Sequence, residues 1–561
     1  SPTVPDNADF VMYWWDKAAE LVQTGACRRF GFITTNSLRQ SFNQAVLSAR
    51  LGESLVLVFA IPDHPWVDAA DGAAVRIAMT VGTQTAASGE LAEVTDEVSQ
   101  DDGEVAVTLQ LTQGTITSGL RVGTDATQAQ ELQANAGLCC VGYQLTGKGF
   151  VVEADQAQKL DPCFGQPTAR IRPLISGRDL TQSSRGTFAI DLFGLTELEL
   201  RSQHPALYQW VFDRVKPERD QNRDSASNVS WWLFARPRAE FRPALKGCSL
   251  VCATSLTAKH RTFIRVPTSS ICDSTTVIFA LSDGPAYGVL SSQVHVEWSL
   301  AAGGTLEDRP RYNKTRCFET FPFPSDDTGL TPELAQRIAS LAEEIDQFRK
   351  ARQAAHPEVT LTGLYNVLEA LRLGQPLSAK DQNLHQLGLC SVLRTLHDDL
   401  DAAVLQAYGW SDLSPIPWAD TAARSAWTET VLARLVALNT RRAAEEAEGR
   451  IRWLRPAFQN PAHANQTAQV QTSLEMGSAA AVARAVSTQP WPATLPEQIR
   501  AVAQVLDASP VALTLPALQV HFKGRGAWKK SLPNLLHTLE ALGRAHSSTD
   551  AATGDMAWRG R

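Results

Sequence analysis

The 561-residue chain contains no run of about 18 apolar residues, the length a helix needs to cross a bilayer, so no membrane-spanning helix is expected. A signal-peptide pattern is missing as well. Its nine cysteines are odd in number and include no Cys-x-x-Cys pair. That argues against a disulfide framework or a zinc site, and it fits a reducing cytoplasm. Adjacent Cys139-Cys140 read as small buried hydrophobes. A large basic excess is also absent, because 52 Lys and Arg stand against 59 Asp and Glu for a net charge of −7. The whole chain is therefore no bulk polycation.

What charge there is lies unevenly. Residues 1–165 carry 9 basic and 20 acidic side chains, residues 166–324 carry 20 and 15, and residues 325–561 carry 23 and 24. Only the middle segment is basic, by five. The length implies three or four domains. With 44% hydrophobic and 20% charged residues, these are ordinary globular domains.

Phe10, Trp14, Ala18 and Leu21 are spaced 4, 4 and 3, which predicts one apolar face of a helix. Arg29–Thr35 reads as a buried strand, Asn36-Ser37 as a cap for a helix to about Arg50, and Ser54–Ile61 and Ala74–Val81 as two more strands. That order predicts the second half of an open α/β sheet. Residues 84–165 form an acidic insertion and bridge, in which Asp101-Asp102-Gly-Glu104 is a turn and Val105–Leu111 a strand. The acidic spacing matches no metal loop.

The richest stretch is 286–324. Gly288–Leu290 reads as a strand running into Ser291-Ser292. His295-Val-Glu-Trp298 suits a half-buried strand or a short helix, and a Gly-Gly turn leads into the basic, aromatic ribbon Arg311-Tyr-Asn-Lys-Thr-Arg316. Arg, Lys, Asn and Ser are the side chains that grip phosphates and read base edges. A packed β-domain with a charged rim would look the same. Upstream, Leu174-Ile-Ser-Gly-Arg-Asp-Leu180 offers Arg178 from a turn, either to phosphate or to an Arg–Asp pair within the turn. Ser230-Trp-Trp-Leu-Phe234 reads as core.

Three segments carry a resemblance: LSSQVHVEW (290–298), RYNKTRCFETFPFP (311–324) and Thr257-Ala-Lys-His-Arg261. They resemble the target-recognition domain of MmeI-like enzymes, single-chain restriction–modification proteins with a gamma-class N6-adenine methyltransferase. Type I and phage-defence methyltransferases share parts of the pattern. The likeness spans most of residues 8–415. ADFVMYWWDKAAELV, RRFGFITTNSLRQSFN and IPDHPWVDAADGAAVRIAMTV are similar to the part of the methyltransferase that follows its catalytic loop. No Asn-Pro-Pro-aromatic loop and no Gly-rich loop after a first strand occurs in the sequence. The resemblance therefore implies a C-terminal part of a larger protein, which alone binds no S-adenosylmethionine, carries no catalytic residue and does not methylate.

The fold it implies is multi-domain, α/β plus α+β plus α: the C-terminal half of a Rossmann-like methyltransferase sheet (1–83), the insertion and bridge (84–165), a mixed, mainly-β target-recognition domain (166–325) and a helical domain (326–458). Double-stranded DNA is the implied partner, beside the missing N-terminal half and other defence-system proteins. The expected contacts are Arg178, Lys259, His260, Arg261, Ser291, Ser292, Arg311, Asn313, Lys314 and Arg316. Trp66 takes about the place of a residue that stacks on a flipped base, though a core Trp beside a turn is the alternative.

After Thr331-Pro-Glu, a helix start, Leu334, Ile338, Leu341, Ile345 and Phe348 predict an apolar seam. Asp346 and Lys350 are expected as an outer pair. Residues 459–490 read as a linker. Residues 491–561 resemble a winged-helix module, with Lys523, Arg525, Lys529 and Lys530 as a possible second DNA contact. A plain interaction domain is the equal alternative.

Overall fold

Helix α1 (Val11–Gln23) buries Met12, Trp15, Ala19 and Val22. This is a different stripe from the expected Phe10, Trp14, Ala18 and Leu21, of which Phe10, Trp14 and Leu21 are exposed. The helix is apolar on two sides, and spacing alone does not say which side meets the sheet. The Trp15 indole N–H donates to Thr80 at 3.2 Å, and buried Asp16 pairs with Arg50 at 2.6 Å.

In the computed structural model the described residues are all except 1–3, 53, 67–74, 85–87, 100–104, 222–229, 282–283, 307–308, 462–488, 493, 510–512, 524–527, 542–543, 550–555 and 561. They divide into two units, Ser1–Asn460 and Pro461–Arg561.

In the first unit β1 (Arg29–Thr35), α2 (Ser41–Arg50), β2 (Val56–Trp66), β3 (Val75–Thr83), β4 (Gly89–Ser99) and β5 (Val105–Gly114) follow α1. The five strands form one sheet in the order β1-β3-β2-β4-β5. Only β2 and β4 run parallel, so this sheet is largely antiparallel. The acidic hairpin β4–β5 extends it beyond residue 83, where a domain end was expected, because Phe59 and Ala60 pair with Glu90 and Leu91. The expected turn at 101–104 lies outside the described residues. Among those residues, β1 pairs only with β3 and forms a sheet edge.

The middle of the chain holds two four-stranded sheets. One has the order β11-β10-β13-β6, from β6 (Cys139–Val141), β10 (Leu250–Ser255), β11 (Ile264–Pro267) and β13 (Thr276–Phe279). The other, β12-β8-β9-β7, comprises β7 (Val151–Val152), β8 (Ile171–Ile175), β9 (Phe188–Ile190) and β12 (Ile271–Cys272). The pleat sends alternate residues to opposite faces. Cys140, Val251, Ala253 and Ile278 thus enter a core shared with Trp231 and Phe234, while Cys139, Cys252, Val277 and Phe279 enter another, built mostly from helices.

Those helices include α3 (Pro285–Ser291) and α4 (Gln293–Ala302). The expected strand Gly288–Leu290 is therefore helical: Pro285 sits in the first turn, where its fixed φ suits a helix. A Cβ on Gly288 would lie 2.4 Å from Ile338 Cγ2, so glycine permits the close approach of α5 (Pro332–Ala355). The bundle continues with α6 (Leu361–Arg372), α7 (Ala379–Gly388), α8 (Cys390–Ala407) and α9 (Thr421–Ala447). Leu334, Ile338 and Ile345 share the core with Tyr312, Phe318, Phe321 and Phe323, so a single core runs across residue 325. Asp346 and Lys350 do pair, at 2.5 Å, but Asp346 is buried rather than on the outside. It is drawn in by Arg349, by Tyr287 and by the Arg265 backbone N–H.

The second unit runs strand Gln489–Pro490, helix Leu495–Ala508, strand Leu513–Thr514, helix Leu515–Gln519, strand Phe522–Lys523, helix Trp528–Ala541 and hairpin Ala545–Thr549/Met556–Gly560. Its core gathers Val502, Leu506, Leu518, Leu532, Leu535, Leu536 and Leu539. Among the described residues no helix is long and apolar enough to cross a membrane, and no group of three or more His, Cys, Asp or Glu could hold a metal ion.

Candidate nucleic-acid interface

The hairpin β14 (Gly304–Leu306)/β15 (Arg309–Arg311) lies beside the loop that leaves β10. Thr257 bridges to Arg311, and the Tyr312 N–H donates to the Leu256 carbonyl at 2.8 Å. Across from them Thr362, at the start of α6, approaches the Thr181 carbonyl at 3.4 Å. Between these elements lies a groove of about 550 Å³, lined by Thr181, Gln182, Thr257–His260, Thr262, Arg309, Pro310, Leu361 and Thr362.

Arg178, Lys259, His260 and Arg311 belong to this region. Arg178 is exposed, and its Nε donates to Gln182 at 3.0 Å. The turn's acid, Asp179, pairs with Arg185 at 2.9 Å and not with Arg178. Burial works against the Asp179 carboxylate, but hydrogen bonds from Arg185 and Ser176 outweigh it and hold the group well below the usual range. Lys259 meets Glu369 at 3.2 Å and Asn366 at 3.0 Å with its side chain 60% exposed. Arg311 is exposed on β15. Arg309 was not among the expected contacts, although the alternation Arg-Pro-Arg puts it on the same strand face as Arg311 and was a readable signal.

The other expected contacts are placed differently. Arg261 is buried and donates to the Ser255 carbonyl, the Thr254 hydroxyl and the Pro310 carbonyl. Its side chain is turned inward instead of into the groove, where it ties the end of β10 to the hairpin within one wall, and burial lowers its pKa. Ser292 is fully buried and donates to the Val289 carbonyl at 2.7 Å, and the Ser291 hydroxyl is also buried. Both lie at the α3–α4 junction because that segment is helical.

Asn313 caps the turn Lys314–Phe318 by accepting from the Thr315 N–H and hydroxyl. Lys314 is half-buried and meets Glu319 at 2.6 Å; burial lowers its pKa, the Glu319 bond raises it, and the net shift is upward. Arg316 reaches Gln44 at 3.2 Å, so it ties this region to α2. The ribbon thus divides at Tyr312: Arg311 before it is exposed beside Arg309 and Pro310, which line the groove, and residues after it make internal contacts.

Behind the groove His295 Nε2 lies 2.9 Å from the Tyr312 hydroxyl. Burial, then the Arg261 charge, push its pKa down to about 3, so the ring is neutral. Trp66 ends β2, pairs with Val75 and is 48% exposed. In the second unit Lys523 and Lys529 are exposed. Arg525 and the Lys530 side chain lie outside the described residues.

Residues 133–325 match the family model of the MmeI target recognition domain. The groove lies where the loop and hairpin of this matched region meet the helical bundle. Over 78% of this chain the fold is similar to the type IIL restriction–modification enzyme MmeI in complex with DNA, with a TM-score of 0.58 and 19% identity. The chain spans 53% of that enzyme's length. The type IIG restriction endonuclease BpuSI also aligns, at 10% identity over 73% of this chain and 53% of its own, with a TM-score of only 0.23. No curated protein matches.

Proposed function

We propose that this chain is the sequence-reading portion of a site-specific, S-adenosylmethionine-dependent N6-adenine DNA methyltransferase of restriction–modification or phage defence, acting in the cytoplasm. The observation that carries this reading is the MmeI-type recognition domain at 133–325, with a groove rimmed by Lys259, Arg309 and Arg311. Guanidinium and ammonium groups on a groove rim grip phosphates, and arginine pairs with guanine edges in the major groove.

The first sheet supports a larger enzyme. Strand β1 leaves one edge open among the described residues, and Phe10, Tyr13, Trp14 and Leu21 are exposed on α1 beside it. An open strand edge next to an apolar helix face is a surface that further strands and helices cover. The residues present do not fit an S-adenosylmethionine site, because the sequence has neither a Gly-rich loop after a strand nor an Asn-Pro-Pro-aromatic loop. Cofactor binding and methyl transfer therefore belong to a partner segment on the open side of β1, and this chain alone is not expected to methylate. Half-exposed Trp66 is the candidate to stack on the flipped adenine.

The strand–helix–strand–helix–strand–helix–hairpin order of the second unit supports a winged-helix-like module whose Lys523 and Lys529 offer a second DNA contact. The missing cofactor motifs also favour a second reading, a DNA specificity subunit that recruits separate enzymes. Sequencing modified bases in DNA from cells expressing the complete reading frame separates the two. N6-methyladenine at one short motif is the expected outcome. Duplex binding without any modified adenine would favour the specificity subunit.

A further inference from the structure

One side chain of the helical bundle reaches two residues of the groove. Asn366, on α6, has its Oδ1 3.0 Å from Lys259 Nζ and 2.7 Å from His260 Nε2. An ammonium can only donate, so the amide atom facing Lys259 is the oxygen. That oxygen can only accept, so His260 Nε2 must carry a proton to bond it. In a neutral imidazole the other nitrogen is then a lone-pair acceptor. Burial lowers the His260 pKa, only partly opposed by the Asn366 bond and the Glu369 charge, and Lys259 lowers it further. The ring is thus neutral near pH 7, and it lines the groove.

We infer that Asn366 is a positioning residue that fixes His260 as a hydrogen-bond acceptor towards the bound duplex, so that His260 selects a base presenting an exocyclic amine, adenine N6 or cytosine N4. Guanine N7 and O6 and thymine O4 are acceptors in the major groove, and a lone pair on His260 Nδ1 rejects them. The inference rests on the reading that this groove binds DNA. It adds to that reading the chemistry of one recognised base and a residue about 40 positions beyond the recognition domain.

Two measurements on the full chain test it. Nitrogen-15 NMR of histidine-labelled protein, with the His260 signal assigned by its loss in His260→Gln, should show the Nε2–H form without DNA. Asn366→Leu should give a tautomer mixture, and Asn366→Asp a charged ring. Selection of bound duplexes from a random pool should then give a consensus with adenine or cytosine at one position. In Asn366→Leu the preference there should fall about tenfold or more, as loss of one base contact implies. In Asn366→Asp, where both ring nitrogens donate, it should move to guanine. An Nδ1–H ring in the wild type, or one unchanged consensus in all three proteins, would overturn the inference alone. A wild type that selects no duplex would overturn the DNA reading, and this inference with it.

Discussion

Arg261 and Arg311 stand near the same groove, and their guanidinium groups serve opposite ends. Arg311 is exposed at the rim, and Arg261 is buried behind it with its hydrogen bonds going to two carbonyls and a hydroxyl. Arg311→Ala should leave the melting temperature unchanged while weakening binding by about 1–3 kcal/mol and relaxing one base pair. Arg261→Met should do the reverse. It removes three hydrogen bonds made by a buried side chain, and a buried acceptor left without its donor costs roughly 1–3 kcal/mol, so it lowers the melting temperature before it touches site preference. Thermal denaturation and duplex titration of both variants check the pair. Nothing in the string Lys-His-Arg separates these roles. The loop turns back after Ala258, and only the resulting geometry puts Lys259 outside and Arg261 inside. The link from Asn366 to the groove was equally hidden, since its partners Lys259 and His260 lie more than 100 positions away.

Buried titratable groups predict a pH response. His295 titrates at about 3 in the fold against an ordinary 6.5. His397 is pushed well below 6.5 by burial and by Arg372 and Arg349. Between 6.5 and those lowered values the unfolded chain binds protons that the folded chain does not, so acidification removes up to about 1.4 kcal/mol per pH unit per histidine. Asp401 has the opposite sign. Burial raises it to about 6 from 3.8, and its contribution, present below 3.8, is lost as pH rises through 6. It offsets one histidine between pH 4 and 6. The urea midpoint should therefore fall from pH 7 to pH 5, and His295→Phe should flatten the fall. A midpoint that rises on acidification would contradict these assignments.

At the scale of elements, α3 crosses α5 at Gly288, where a Cβ would meet Ile338 Cγ2 at 2.4 Å and its carbonyl at 2.9 Å. Gly288→Ala should cost about 1–3 kcal/mol by overpacking, measured by urea unfolding, although alanine favours a helix at an open position. The α5 seam was legible because its 4-3 spacing has one reading, but Gly288–Leu290 is too short for its period to tell strand from helix. α1 was legible as a helix and misread in its orientation, since Met12/Trp15/Ala19/Val22 and Phe10/Trp14/Leu21 are both apolar stripes. The outer stripe carries its own prediction. Trp14→Glu should leave the melting temperature of this chain unchanged, yet lower that of the complete protein if further elements cover this face. An equal effect in both would show that the face is not covered.

For the whole molecule, the segment charges were the plainest guide, because the one basic stretch, residues 166–324, lies wholly within the region 133–325 that matches the recognition-domain model. The boundaries were not legible. The bundle and the recognition sheet share one core, which includes Cys252, Phe279, Ile338 and Leu400, and a shared core leaves no compositional seam at residue 325. The central claim, a duplex-reading groove between these parts, is tested most directly by titrating the full chain onto a selected duplex over a salt series. Affinity should exceed that for unrelated DNA and fall with salt at a log–log slope of about −0.9 per phosphate contact, with a shallower slope for Lys259→Ala. Binding that is absent, or that neither salt nor sequence alters, would contradict the account.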